Sequence, residues 1–216
     1  MHGSRRIDHH TGGNCWEHME RKGIKADEVI EICGKYYRLI QFLGRGKSGY
    51  SWLADCNGRQ VVVKQIHHEP CRVYSFGDKI DAERYAYERL KAIDIRIPEM
   101  LAIDMAAERL AKEYIEGPTI FELVRDGSSA EPWLRQVREM AEKAKAAGVN
   151  IDYFSPNFVV QTHTNLLYYI DYECNEYSEE WNFENWGVKY WSLTPDFLRH
   201  LEHLKYRAEH PKKEQA

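Results

Sequence analysis

The dipeptide Asn57-Gly58 stands between two apolar or aromatic runs, Tyr50-Ser-Trp-Leu-Ala54 and Val61-Val-Val63. No other short sequence specifies a β-hairpin as strongly, because both turn residues tolerate the positive φ that a two-residue turn demands. The hairpin fixes what lies on either side of it. Before its first strand comes Gly44-Arg45-Gly46-Lys47-Ser48-Gly49, and its second strand ends in Lys64. Glycines let a backbone come close to an anion, adopt φ > 0 and turn N–H groups toward it. Loop and lysine together are therefore a candidate phosphate cradle, within a meander of strand, glycine loop, strand, tight turn and strand.

This order argues against two other phosphate loops. A Walker loop needs a glycine where Gln41 stands ahead of Gly46-Lys47-Ser48. A dinucleotide fingerprint needs its third glycine to open a helix, and Gly49 opens a strand instead. The remaining alternative is a glycine-rich hairpin with a surface lysine.

Other strands and helices follow from periodicity. Val29–Cys33 and Tyr36–Leu43 read as strands joined by a Gly34-Lys35 turn, and Met100–Asp104 as another strand. Asp81–Ile93 places Ala82, Tyr85, Ala86, Arg89, Leu90 and Ile93 at helical intervals. Trp133, Leu134, Val137, Met140, Ala141 and Ala144 form a second helical stripe, opened by Pro132 and closed by Gly148. A last helix is expected from Pro195 to Ala208.

Composition limits the functional classes. The chain has 216 residues, 43% of them hydrophobic, enough for one sizeable core or two small lobes. A net charge of −4 gives no reason to expect nucleic acid or a membrane surface as partner. No apolar run reaches membrane-spanning length. The five cysteines, Cys15, Cys33, Cys56, Cys71 and Cys174, are odd in number and scattered, which fits reduced thiols and a cytoplasmic setting. Residues 1–26 read as an extension outside the fold. Its His9, His10, Cys15 and His18, like Cys71 with His67 and His68, form poor metal cages without a packed second layer of partners, and the two loop histidines are expected to be exposed.

The most specific stretch is Asn150-Ile-Asp152-Tyr-Phe-Ser-Pro-Asn157-Phe-Val-Val160, followed by Leu166–Ile170 and then Asp171. An Asp, an Asn five residues on and a second Asp thus flank a β-hairpin, downstream of the glycine loop and Lys64. The set resembles the protein kinase-like superfamily, over about residues 36–190, and within it a minimal bacterial serine/threonine kinase-like protein. The resemblance implies an α+β, two-lobed fold with an antiparallel-sheet N-lobe at 27–116 and a reduced, mainly helical C-lobe at 117–216. It implies Mg-ATP as cofactor and transfer to a hydroxyl, with a protein substrate. Asp152 would be the catalytic base, and Lys64 would orient phosphates while held by Glu83, with Glu88 as competitor. Asn157 and Asp171 would hold Mg²⁺. Gly44, Gly46, Gly49 and Val62 would line the nucleotide, and Glu113 and Ile115 would offer backbone groups to the adenine edge.

Three departures stand out. Asn150 replaces a usual His, and Lys112 sits at the gate of the base pocket, implying a restricted pocket or a lysine that snorkels outward. Asp171-Tyr172-Glu173 replaces Asp-Phe-Gly, a pattern similar to the small kinase-like enzymes, both the atypical protein kinases and the aminoglycoside and choline phosphotransferases. Only 45 residues follow Asp171, too few for the usual peptide-docking platform. Their aromatics, Trp181, Phe183, Trp186, Tyr190 and Trp191, are expected to cap the core. A small-molecule phosphotransferase and a non-catalytic nucleotide-binding module remain the alternatives.

Overall fold

The computed structural model describes residues 25–69 and 78–210. The extension up to residue 24, with its His and Cys residues, and Cys71 lie outside them. The chain is α+β. Its strands are β1 (Val29–Ile32), β2 (Lys35–Arg45), β3 (Gly49–Cys56), β4 (Arg59–Ile66), β5 (Met100–Asp104), β6 (Arg109–Glu113), β7 (Val149–Ile151), β8 (Phe158–Val160), β9 (Leu167–Tyr169) and β10 (Cys174–Glu176). Its helices are α1 (Lys79–Ala92), α2 (Ile120–Arg125), α3 (Glu131–Ala146) and α4 (Pro195–Glu209).

Six strands make one antiparallel sheet in the order β1-β2-β3-β4-β6-β5. Two tight turns set its register. Asn57 and Gly58 take φ of 55° and 83°, the pair of positive values the sequence promised. In the first hairpin the turn is Cys33-Gly34, with φ of 51° and 76°, one residue earlier than Gly34-Lys35, because Ile32 pairs directly with Lys35. That register buries Ile30, Ile32, Tyr37 and Leu39 on one face with Trp52, Val61, Val63 and Ala111. A shift by one residue would turn this whole set to solvent.

The opposite face of the sheet holds what matters for the site. In the β4–β6 register Val62 faces Lys112 and Lys64 faces Leu110, so these four side chains share one face. Helix α1 covers part of it, packing Ile80 on Ile66 and Leu110. It starts two residues before Asp81, since the Asp78 side chain caps it by accepting from Asp81 N–H at 3.0 Å.

The second half of the chain has its own core of Phe121, Val137, Met140, Ile151, Phe158, Leu167, Tyr169, Phe183, Trp191 and Phe197, among others. Here α3 is the expected amphipathic helix, with Pro132 in its first turn and Gly148 at φ 70° beyond its end. Helix α2 has no counterpart in the sequence reading, and six residues are too few to show a period. A capping box, Thr119 and Glu122, holds it instead. Of the tail aromatics, Phe183 and Trp191 do cap the core, Trp186 and Tyr190 are half-buried, and Trp181 is exposed. Among the described residues no helix is long and apolar enough to cross a membrane, and Cys33, Cys56 and Cys174 are free thiols.

Candidate functional site

Lys64 does not end its strand, since β4 runs two residues further to Ile66; it lies on the α1-covered face, 7% exposed, with its ammonium on the Glu83 carboxylate of α1. Burial of the lysine works to lower its pKa, but the charges of Glu83 and Asp171 outweigh this and raise it, so the group is a fixed cation. Of the two glutamates considered, it is Glu83 that reaches Lys64, while Glu88 pairs with Arg84 on the solvent side of the helix at 2.9 Å. The second Glu83 oxygen, Oε2, is buried and accepts no hydrogen bond from the described residues, and Ser48 in the glycine loop donates to Oε1 at 3.1 Å.

The glycine loop lies directly over this ion pair. Gly46 N–H closes a turn on Gly49 O at 2.8 Å, and His67 N–H donates to Ser48 O at 3.0 Å. His67 also reaches Gly46 O through Nε2 at 3.1 Å, which requires the Nε2–H tautomer, while Nδ1 accepts from Glu69 N–H. This histidine is 5% exposed, which corrects the expectation of a solvent residue; only His68 is exposed. The three glycines differ in their reasons. None of Gly44, Gly46 and Gly49 has positive φ, so conformational freedom is not what this arrangement uses. At Gly49 the reason is space: a Cβ would come within 2.6 Å of Gln65 O on β4.

From the other half of the chain come the carboxylates. Strands β7 and β10 form a two-stranded ribbon with Ile151 opposite Cys174, so Asp152 and Glu173 emerge side by side at its end. The β8–β9 hairpin carries Asn157 just before its first strand and Asp171 just after its second, and Asn157 O accepts from Ile170 N–H at 2.8 Å. Asp171 Oδ1 stands 3.8 Å from Lys64 Nζ. Burial works to raise the Asp171 pKa, but Lys64 and Lys112 prevail and hold it below the ordinary carboxylate value. Asp152 is different: burial dominates, and its pKa is raised despite the Phe154 N–H it accepts at 3.1 Å. Asn157 turns its amide toward the Asp152 carbonyl at 3.4 Å. Glu173 is also raised by burial, and the Lys47 charge at the tip of the glycine loop acts on Asp152, Asp171 and Glu173 alike.

Thus Lys64, Glu83, Asp171, Asp152, Asn157 and the glycine loop converge where the sheet meets the helical half. Val62 lies on the same face two residues before Lys64. Glu113 N–H already donates to Glu99 O at 2.8 Å, and Ile115 is buried. Lys112 departs most from expectation. It does not snorkel outward: it is 7% exposed and donates to the Ile170 carbonyl, because that carbonyl and the Tyr172 ring offer partners inside. The sequence gives one signal for it, a lysine alternating with Leu110 on a buried face. Nothing in the sequence signals the Ser48–Glu83 contact or the His67 tether.

Among the described residues no three His, Cys, Asp or Glu side chains converge closely enough to cage a metal ion by themselves. A groove of about 380 Å³ between Ser128–Leu134 and Val188–Leu193 shares no residue with this site. No protein-family model matches the chain, and no curated protein matches it.

Proposed function

We propose that the chain is a kinase-like phosphotransferase that moves a phosphoryl group from Mg-ATP to a hydroxyl, with protein Ser or Thr as acceptor. The observation that carries this reading is the buried Lys64–Glu83 pair, with Asp171 facing it at 3.8 Å from the opposite half. A cation fixed by one carboxylate and faced by another suits a nucleotide triphosphate with its metal.

The donor set fits the group. Asp171 and Asn157 supply hard oxygens, and Mg²⁺ is usually held by one or two carboxylates with phosphates and water completing its shell. When bound, the metal would neutralise charge on the phosphates. Lys64, kept in place by Glu83, would orient the phosphates from the sheet side. Backbone N–H groups of the Gly44–Gly49 loop would cover them. Asp152, its pKa raised by burial, would accept the proton of the acceptor hydroxyl as that oxygen bonds to phosphorus and the bond to the leaving phosphate opens. Rate would come mainly from positioning and charge neutralisation.

A second reading, a small alcohol as acceptor, draws on Glu173. The β7–β10 ribbon places this carboxylate beside Asp152, where it would meet a cationic group on a small substrate.

Thermal unfolding with and without Mg-ATP tests the shared premise. At a hundredfold excess over the dissociation constant, the nucleotide is expected to stabilise the fold by about 2.7 kcal/mol. Lys64→Ala should remove most of that shift. Asp152→Asn should keep it while slowing transfer by roughly 10²- to 10⁴-fold. A protein that no purine nucleotide stabilises would refute the reading. Radiolabelled transfer to lysate proteins, set beside transfer to aminoalcohols, separates the two acceptors.

A further inference from the structure

Lys112 is a buried ammonium in the junction that the proposed chemistry does not use. Its position on β6 puts it on the Lys64 face, and its Nζ lies 4.6 Å from the centre of the Tyr172 ring while donating to the carbonyl of Ile170. Both contacts flank Asp171 in sequence. Tyr172 is held from a second side: its hydroxyl donates to Pro98 O at 2.6 Å and its ring lies 5.1 Å from that of Tyr87 on α1.

We infer that Lys112 is a positioning residue that bolts the Asp171-Tyr172-Glu173 segment to the sheet, so that the Asp171 carboxylate faces Lys64 before any ligand arrives. The segment has no glycine, and each residue beside Asp171 is gripped by a group on another element. An ammonium is suited to this because one head can donate to a carbonyl and lie over a ring at once. Burial and the neighbouring charge of Lys64 bring its pKa down to about 8, a cost that a surface lysine or an apolar residue at 112 would not carry.

The functional consequence rests on the nucleotide reading, but the first readout does not. Lys112→Met keeps the length of the side chain and removes the charge, and Lys112→Arg keeps a charged donor. Hydrogen exchange followed by mass spectrometry on the peptide covering 170–176 should show about tenfold faster exchange in Lys112→Met, with β4 and β6 unchanged and Lys112→Arg close to the parent. The Mg²⁺ concentration giving half of the nucleotide-induced thermal shift should rise about tenfold in Lys112→Met, the low end for a lost partner of a metal ligand. Binding of the nucleotide in excess EDTA should not change. Unchanged exchange in 170–176, or acceleration spread equally over β4 and β6, would overturn the inference. Should no nucleotide stabilise the parent protein, the proposed function fails while the exchange experiment still decides the role of Lys112.

Discussion

At the scale of single residues, the informative groups are the polar ones taken out of water. Lys64 was legible because a lysine on the strand after a glycine loop has few uses, whereas the sequence favours Glu83 over Glu88 as its partner without settling the choice, since both lie on one helix. His67 was not legible, since nothing in the sequence around it fixes which way the ring turns. Its contacts give a pH prediction. Burial lowers the His67 pKa below its ordinary value, and the neutral ring serves Gly46 O and Glu69 N–H at once. As pH falls below about 6.5, the unfolded chain takes up a proton at this position that the folded chain resists, so stability is lost until the folded ring protonates too. His67→Asn should therefore show a shallower loss of stability between pH 7 and pH 5 than the parent. The difference is limited to about 1.4 kcal/mol per pH unit, the value for one proton. Denaturant titrations of both proteins at several pH values measure it, and equal slopes would mean that the ring titrates normally. Acidic side chains common to both proteins cancel in the comparison.

Elements were legible where they had length or turn chemistry. The Asn57-Gly58 hairpin, α1, α3 and α4 all showed in their residues, because a dipeptide or three turns of periodicity is enough. The three-residue strands β7 and β10 were invisible as a pair, yet their ribbon sets Asp152 beside Glu173; a pairing between residues so far apart leaves no local pattern. Gly117 marks another nonlocal constraint. The crossover from β6 to α2 is laced to the end of β8, with Val160 N–H on Pro118 O and Thr162 N–H on Glu116 O, both at 2.9 Å. Gly117 has φ of 155°, and a Cβ there would sit 1.8 Å from Val160 O. Gly117→Ala must push the crossover off β8, and the expected loss is about 1–3 kcal/mol, the range for overpacking. Gly44→Ala meets open space and should change stability by no more than about 0.5 kcal/mol. Chemical denaturation of the two variants provides the comparison, and similar losses would show that the crossover can relax.

For the molecule as a whole, the question is whether the sheet and the helical half unfold together, since a site shared between them is only as ordered as their junction. Helix α1 answers it structurally. Its first turn packs Ile80 on Ile66 and Leu110 under the sheet, whereas Leu90 near its end is fully buried in the other cluster with Ile95. The chain beyond α1 continues the link: Arg96 donates to Leu167 O at 3.1 Å and accepts from Tyr169 N–H at 2.9 Å, joining the helix exit to β9. A rigid helix embedded in both cores couples them, so losing either core strips apolar cover from the other. Buried tryptophans report on each side, Trp52 in the sheet cluster and Trp191 in the helical one. With 5-fluorotryptophan incorporated, their ¹⁹F resonances should lose native intensity over the same urea range. Leu90→Ala, expected to cost about 2–5 kcal/mol as a buried truncation, should move both midpoints downward together, although the mutated side chain belongs to one cluster. If the Trp191 midpoint fell while that of Trp52 stayed, the two halves would be independent, and the alignment of Asp171 with Lys64 would have to come from the ligand rather than from the fold.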